Sequence, residues 1–168
     1  MIDKTDFDTK VTNILVQYLT GIMKNDISPV YHFLKRQPKE YAESIITSMK
    51  DKNRRKMFDE LNISNIIITD TREENNNTIY DVVVDVKYMD YEMDINTGKV
   101  SGNNHKRILK KFKLKIIKCL NTRKQDHIRR CPSCGHSLDV SANGKCEYCN
   151  TIYNQEDYDY QILEIKIN

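Results

Sequence analysis

Two pairs of cysteines, Cys131-Pro-Ser-Cys134 and Cys146-Glu-Tyr-Cys149, carry the clearest chemistry in this chain. Each Cys-x-x-Cys hook brings two sulfurs to one side of a tight turn. Two such hooks facing each other complete a tetrahedron of thiolates, the ligand set of a structural zinc ion. Gly135 follows the first hook, and Asn143-Gly144 punctuates the connector where a hairpin turn needs positive φ. The spacing therefore predicts one Zn2+ held by Cys131, Cys134, Cys146 and Cys149. The rival reading is a pair of disulfides or a redox Cys-x-x-Cys. Redox hooks belong at a strand-to-helix junction, and two in register without that context fit it poorly. His136 adjoins the first hook and could stand in for a cysteine, but four thiolates already fill the set.

Such a site is closed. With no position left for water, it offers no Lewis-acid chemistry, and its role is to fold a small knuckle that has little apolar core of its own. Apparent binding energies of about 10–16 kcal/mol for structural zinc suffice for that. The fifth cysteine, Cys119, falls in a strand-like run and reads as a small buried hydrophobe. Thiol hooks that must stay reduced, and no secretory pattern in Met1-Ile2-Asp3-Lys4-Thr5-Asp6, lead to the expectation of a cytoplasmic chain. No apolar run approaches the length of a membrane span.

Charge is the second signal. The net charge is only +3, yet from His105 to Arg130 eleven lysines and arginines face one acid, Asp126, leaving that stretch at +10 and the remainder at −7. Such asymmetry invites an anionic partner, whether nucleic acid, a lipid headgroup or an acidic protein. Within it Phe112, Leu114 and Ile116 alternate with Lys111, Lys113 and Lys115, so a strand would project those three lysines as a ladder from one face. With Arg129 and Arg130 beside the first hook, they are the candidate contacts for that partner. The plain alternative is a solvated strand face.

The remaining elements must position these groups. Phe7, Val11, Ile14, Leu15, Tyr18, Leu19, Ile22 and Met23 recur at helical steps, with Thr5 and Asp8 as a capping box. Asn25-Asp26 closes that helix. Ser28-Pro29 opens a short helix through Leu34, and Pro38 starts another with Tyr41, Ile45 and Met49 buried. After a break at Asp51-Lys52-Asn53, a last helical turn is expected through Met57, Phe58 and Leu61. The pattern then alternates. Ile63 to Thr69 is a strand, Glu73 to Asn77 a loop, and Tyr80, Val82, Val84, Val86 and Tyr88 line a long strand with Asp81, Asp85 and Lys87 on its other face. Asn96-Thr97-Gly98-Lys99 is a turn. Leu163, Ile165 and Ile167 form one face of a last strand, with Glu164 and Lys166 on the other. The expected class is α+β: N-terminal helices on a curved antiparallel sheet of about four strands, residues 1–126 plus 156–168, with a zinc ribbon, residues 127–155, inserted before the last strand.

This order of elements, together with the tract from Cys131 to Cys149, Glu156-Asp157-Tyr158 and a final strand, resembles the bacterial branch of the Tim-forty-four-like domain family. Some members carry a zinc ribbon before the final strand, and the segments Asp26 to Leu61 and Tyr91 to Gly102 fit the pattern too. The resemblance covers nearly the whole chain. It implies a cone-shaped fold similar to nuclear-transport-factor-two-like and cystatin-like domains, in which a curved sheet wrapped by helices surrounds a pocket. It also implies a non-catalytic docking domain with a protein partner, at a protein-transport machine or the periphery of a membrane.

Three functions follow as expectations. The first is a binding or scaffold module with a structural zinc ribbon. The second is nucleic-acid binding through the ribbon and the basic stretch 105–130, where Lys145 and Tyr148 also flank the hooks. The third is a small-molecule or enzymatic pocket using Asp81, Asp85 and His32, for which no nucleophile–base pair or phosphate loop is visible.

Overall fold

The computed structural model describes residues 2–119, 128–130, 134, 137–139, 148–149 and 160–168. The helix α1 (Lys4–Met23) begins at Asp3, whose side chain accepts the Asp6 N–H, so the cap lies two residues before the expected Thr5. Its stripe from Phe7 to Ile22 is buried, each fully buried side chain contributing about 1.5–3 kcal/mol. Asn25, in the left-handed region at φ 56°, ends it. Ser28–Phe33 is a 3-10 helix in which Asp26, not Ser28, supplies the capping oxygen, accepting the Ser28 N–H. The helix α2 (Arg36–Asp51) starts two residues before Pro38 and buries Pro38, Ala42, Ile46 and Met49, with Tyr41 and Ile45 at the margin.

Among the described residues seven strands follow: β1 (Arg54–Glu74), β2 (Asn77–Asp94), β3 (Val100–Gly102), β4 (Ile108–Cys119), β5 (Ile128–Arg130), β6 (Ser137–Asp139) and β7 (Tyr160–Ile167). The main sheet is antiparallel, ordered β1-β2-β4-β7, with β3 as a fifth strand on the end of β2. The class is α+β, helices first and then a curved antiparallel sheet. Among the described residues β5 and β6 pair only with each other, and they lie in sequence between β4 and β7, which are neighbours.

Two expectations are corrected. The segment from Arg54 to Leu61 is not a helical turn but the start of β1. Three register shifts interrupt β1, and Glu60 and Asn65 sit in the left-handed region at φ 50° and 49°. These bulges place Phe58, Leu61, Ile63, Ile66 and Ile68 on the core side, steps of three and two that imitate a helical stripe. Pairing with β2, the Lys56–Asp90 ion pair and the Phe58 ring against Tyr88 override local propensity. In β7, a shift between the pairs Lys115–Glu164 and Ile116–Ile162 changes the phase. Ile162 and Ile165 are both buried, and Leu163 is only half-buried.

The face of the sheet under the helices is filled. Phe7 packs on Tyr80 and Tyr160 with ring centroids 5.1 and 5.8 Å apart, and Val82, Val84, Val86, Phe112, Leu114 and Ile116 close the layer. Tyr18, fully buried, donates its hydroxyl to the Pro38 carbonyl at 2.7 Å and so ties α1 to α2. Lys10 is buried among these residues, paired with Asp6 and lying over the Tyr160 ring. The β7 edge is closed by the chain itself. Lys35 N–H donates to the Ile162 carbonyl, and the Gln37 amide both donates to the Ile165 carbonyl and accepts the Ile165 N–H.

Candidate functional site

The lysine ladder forms as expected, on the sheet face away from the helices. Phe112, Leu114 and Ile116 are buried, while Lys111 and Lys113 are exposed and Lys115 is half-buried. Strand pairing then decides what the lysines face. β2 sets Asp85 opposite Lys111 and Asp81 opposite Lys115, and β7 sets Glu164 opposite Lys115. Lys111 Nζ lies 2.7 Å from Asp85 Oδ1, and Lys115 Nζ 3.5 Å from Glu164 Oε2. Two of the eleven cations in the basic sequence run, Lys111 and Lys115, therefore meet carboxylates drawn from β2 and β7 on the same face.

Asp85 is held from both sides. Asn65 Nδ2, aimed by the left-handed bulge in β1, donates to its Oδ2 at 2.9 Å, and Lys111 takes Oδ1. The Asn65 bond first and Lys111 second keep its carboxyl below the usual aspartate range. Asp81 accepts from Arg72 Nη1 at 2.7 Å through Oδ2, and Arg72 also reaches Asp70 and Glu74. Oδ1 of Asp81 is buried without a hydrogen-bond partner.

Lys113 is the exception in the ladder. It stands opposite Val83 on one side and opposite a second lysine, Lys166, on the other. Both lysines are exposed, and neither has a carboxylate within ion-pair distance among the described residues. They border a hollow of about 440 Å³ whose other walls include Thr69, Asp81, Val83 and Glu164. No feature of the sequence alone marked Lys166, because its significance comes from the β4–β7 register. Arg72 and Asn65 were missed for the same reason.

The residues considered for catalysis are not brought together. Asp81 and Asp85 lie on the open face of β2, committed to Arg72 and to Asn65 and Lys111. His32 belongs to the 3-10 helix that flanks the far edge strand, where Gln161 donates to its carbonyl. Its ring lies against Phe33 with centroids 4.5 Å apart, and partial burial, then Lys39, push its pKa below the ordinary histidine value. β4 lies between β2, with its aspartates, and that edge strand, β7.

Of the cysteines expected to bind zinc, Cys134 and Cys149 are exposed, and Cys131 and Cys146 lie outside the described residues, as do His136 and Asn143-Gly144. Among the described residues no three metal-binding side chains cluster. Arg130 pairs with Ser137 across β5 and β6, and the first hook lies between these two residues in sequence. Arg129 and Arg130 are on β5, and Tyr148 is exposed beside Cys149. Cys119 ends β4, and its side chain lies outside what is described.

No family model matches the chain, and no curated protein matches it. No helix among the described residues is long and apolar enough to cross a membrane.

Proposed function

We propose that this chain is a non-catalytic binding module of the Tim-forty-four-like kind, stapled by one structural zinc ion on Cys131, Cys134, Cys146 and Cys149, whose task is to dock a protein partner. The observation that carries this reading is the division of the sheet into two unlike faces. The side of the sheet under the helices is filled by Phe7, Tyr18, Tyr80, Phe112 and Tyr160. The opposite side of β2, β4 and β7 bears the ladder, the compensating carboxylates and the Lys113–Lys166 hollow. Work is left to surfaces, and surfaces of mixed charge suit specific protein docking, where complementary potentials select a partner.

The nucleic-acid reading loses ground on the same register. A phosphate backbone rewards uncompensated cations, and here Lys111 and Lys115 already face Asp85 and Glu164. The zinc reading is supported by four cysteines at Cys-x-x-Cys spacing, a donor set of soft thiolates.

The test is retention of partners from a lysate of the source cells on immobilised, zinc-loaded chain, with and without nuclease. The proposal expects saturable protein retention that nuclease leaves intact and free chain competes away. Retention that nuclease abolishes, or no saturable retention, would overturn it.

A further inference from the structure

The two edges of the main sheet are guarded differently. β1 carries three register shifts, which spoil it as a template for another strand. β7 is apolar, free of proline and glycine, and of the kind that pairs with a further chain when its edge is open. Its guard is a strap, residues 34–37. Leu34 bridges to Ile162, and Lys35 N–H donates to the Ile162 carbonyl at 2.9 Å. The Gln37 carboxamide donates to the Ile165 carbonyl at 3.0 Å and accepts the Ile165 N–H at 2.9 Å. A carboxamide presents the donor and acceptor of a peptide group, so Gln37 stands in for one residue of a neighbouring strand. Both polar groups of Ile165 thus point out of the sheet, where an antiparallel neighbour exchanges a pair of backbone bonds. Leu34 and Pro38 are buried and anchor the strap, whereas Lys35, Arg36 and Gln37 are exposed.

The charges on either side of Ile165 decide what fits this edge once the strap is undone. Glu164 and Lys166 are two residues apart and so share the open face of the sheet, while Ile165 between them is buried. A twofold axis at Ile165 sets β7 antiparallel to the β7 of a second copy, with position 164 of each chain opposite position 166 of the other. Each glutamate then meets a lysine, twice by symmetry, and Ile165 pairs with its own copy through the two bonds that Gln37 now supplies. Lys166, which faces Lys113 within its chain, gains a carboxylate. From this we infer that the strap 34–37 guards a self-association edge: with its clasp closed β7 ends the sheet, and with the clasp removed two copies join through β7 into one continuous sheet centred on Ile165.

The experiment uses the full zinc-loaded chain and its K35P/Q37A variant, which lacks all three hydrogen bonds from the strap to the edge. Lys35 at φ −84° after Leu34 at φ −118° and ψ 137° is close to what proline requires, so K35P removes the N–H with little change of backbone. Sedimentation over a range of concentrations should show K35P/Q37A associating to twice the mass of the parent species. Adding E164K or K166E to that variant sets like charges opposite each other in both symmetric pairs and should weaken the association at least about tenfold. Adding E164K and K166E together restores opposite charges and should restore the association. Circular dichroism verifies each fold. If K35P/Q37A fails to fold, Q37A alone takes its place and is judged by the same outcomes. No association beyond that of the parent, association that ignores the single reversals, or association that the double reversal fails to restore would overturn the inference.

Discussion

At the scale of single residues, the ladder is a set of cross-strand pairs whose members differ in what they face. Replacing Lys113 with glutamine ends its opposition to Lys166 and should raise stability by about 0.2–1 kcal/mol at low salt, an effect that fades as salt is added. Urea denaturation of the two proteins at both salts measures this, and a destabilised variant would mean that Lys113 has an attractive partner. Asp85 is the opposite case. Hydrogen bonds from Asn65 and then Lys111 stabilise its ionised form, so its folded pKa lies below 3.8. Its contribution is present at neutral pH and is lost as pH falls through the folded value, because the unfolded chain takes up the proton first. D85N should therefore melt below the parent at pH 7, and the gap should close towards pH 2. A gap that stays constant with pH would show that the carboxylate charge contributes nothing. The ladder's lysines were legible from alternation alone. Their partners were not, because Asp81, Asp85 and Glu164 become neighbours only through pairing between segments distant in sequence.

At the scale of elements, the sequence was most readable where periodicity is uninterrupted. The α1 stripe, the inward face of β2 and the alternation of β4 all stand as their patterns predict. Reading failed where bulges break the period. In β1 the core-facing residues Phe58, Leu61, Ile63, Ile66 and Ile68 follow steps that look helical, and in β7 a shift moves Leu163 off the core face. The bulge at Glu60 makes a direct test. Its φ of 50° strains a residue with a β-carbon, whereas Asn65 in the second bulge is a side chain suited to that region. Glu60→Gly should stabilise the fold by up to about 1 kcal/mol, the strain relieved exceeding the entropy glycine gives up. A variant that melts lower would show that Glu60 contributes through its side chain.

At the scale of the whole molecule, the proposal gives one chain two sources of stability. The helices and main sheet have an apolar core of aromatic and branched side chains. The tract between β4 and β7 is proposed to depend on zinc. A chelator strong enough to strip the metal should release one zinc per chain and make four thiols reactive together, while amide exchange in α1, β2 and β4 stays slow. Loss of protection in those elements would show that the metal supports the core as well, and purified chain with disulfides in place of zinc would refute the site. The thiolate spacing was fully legible in the sequence. How the ladder's charge is spent was not, since only the sheet register shows that Lys111 and Lys115 of the basic run face Asp85 and Glu164.

That difference is also what separates a protein-docking module from a nucleic-acid-binding one. The most direct measurement is a titration of zinc-loaded chain with mixed-sequence RNA and DNA at low and at physiological salt. A ladder whose Lys111 and Lys115 are paired with Asp85 and Glu164 predicts weak binding at low salt and none measurable at physiological salt, with a shallow salt dependence. Tight binding whose logarithm falls with the logarithm of salt at a slope of about −3 or steeper would mean counterion release by several free lysines and arginines, and would contradict the account.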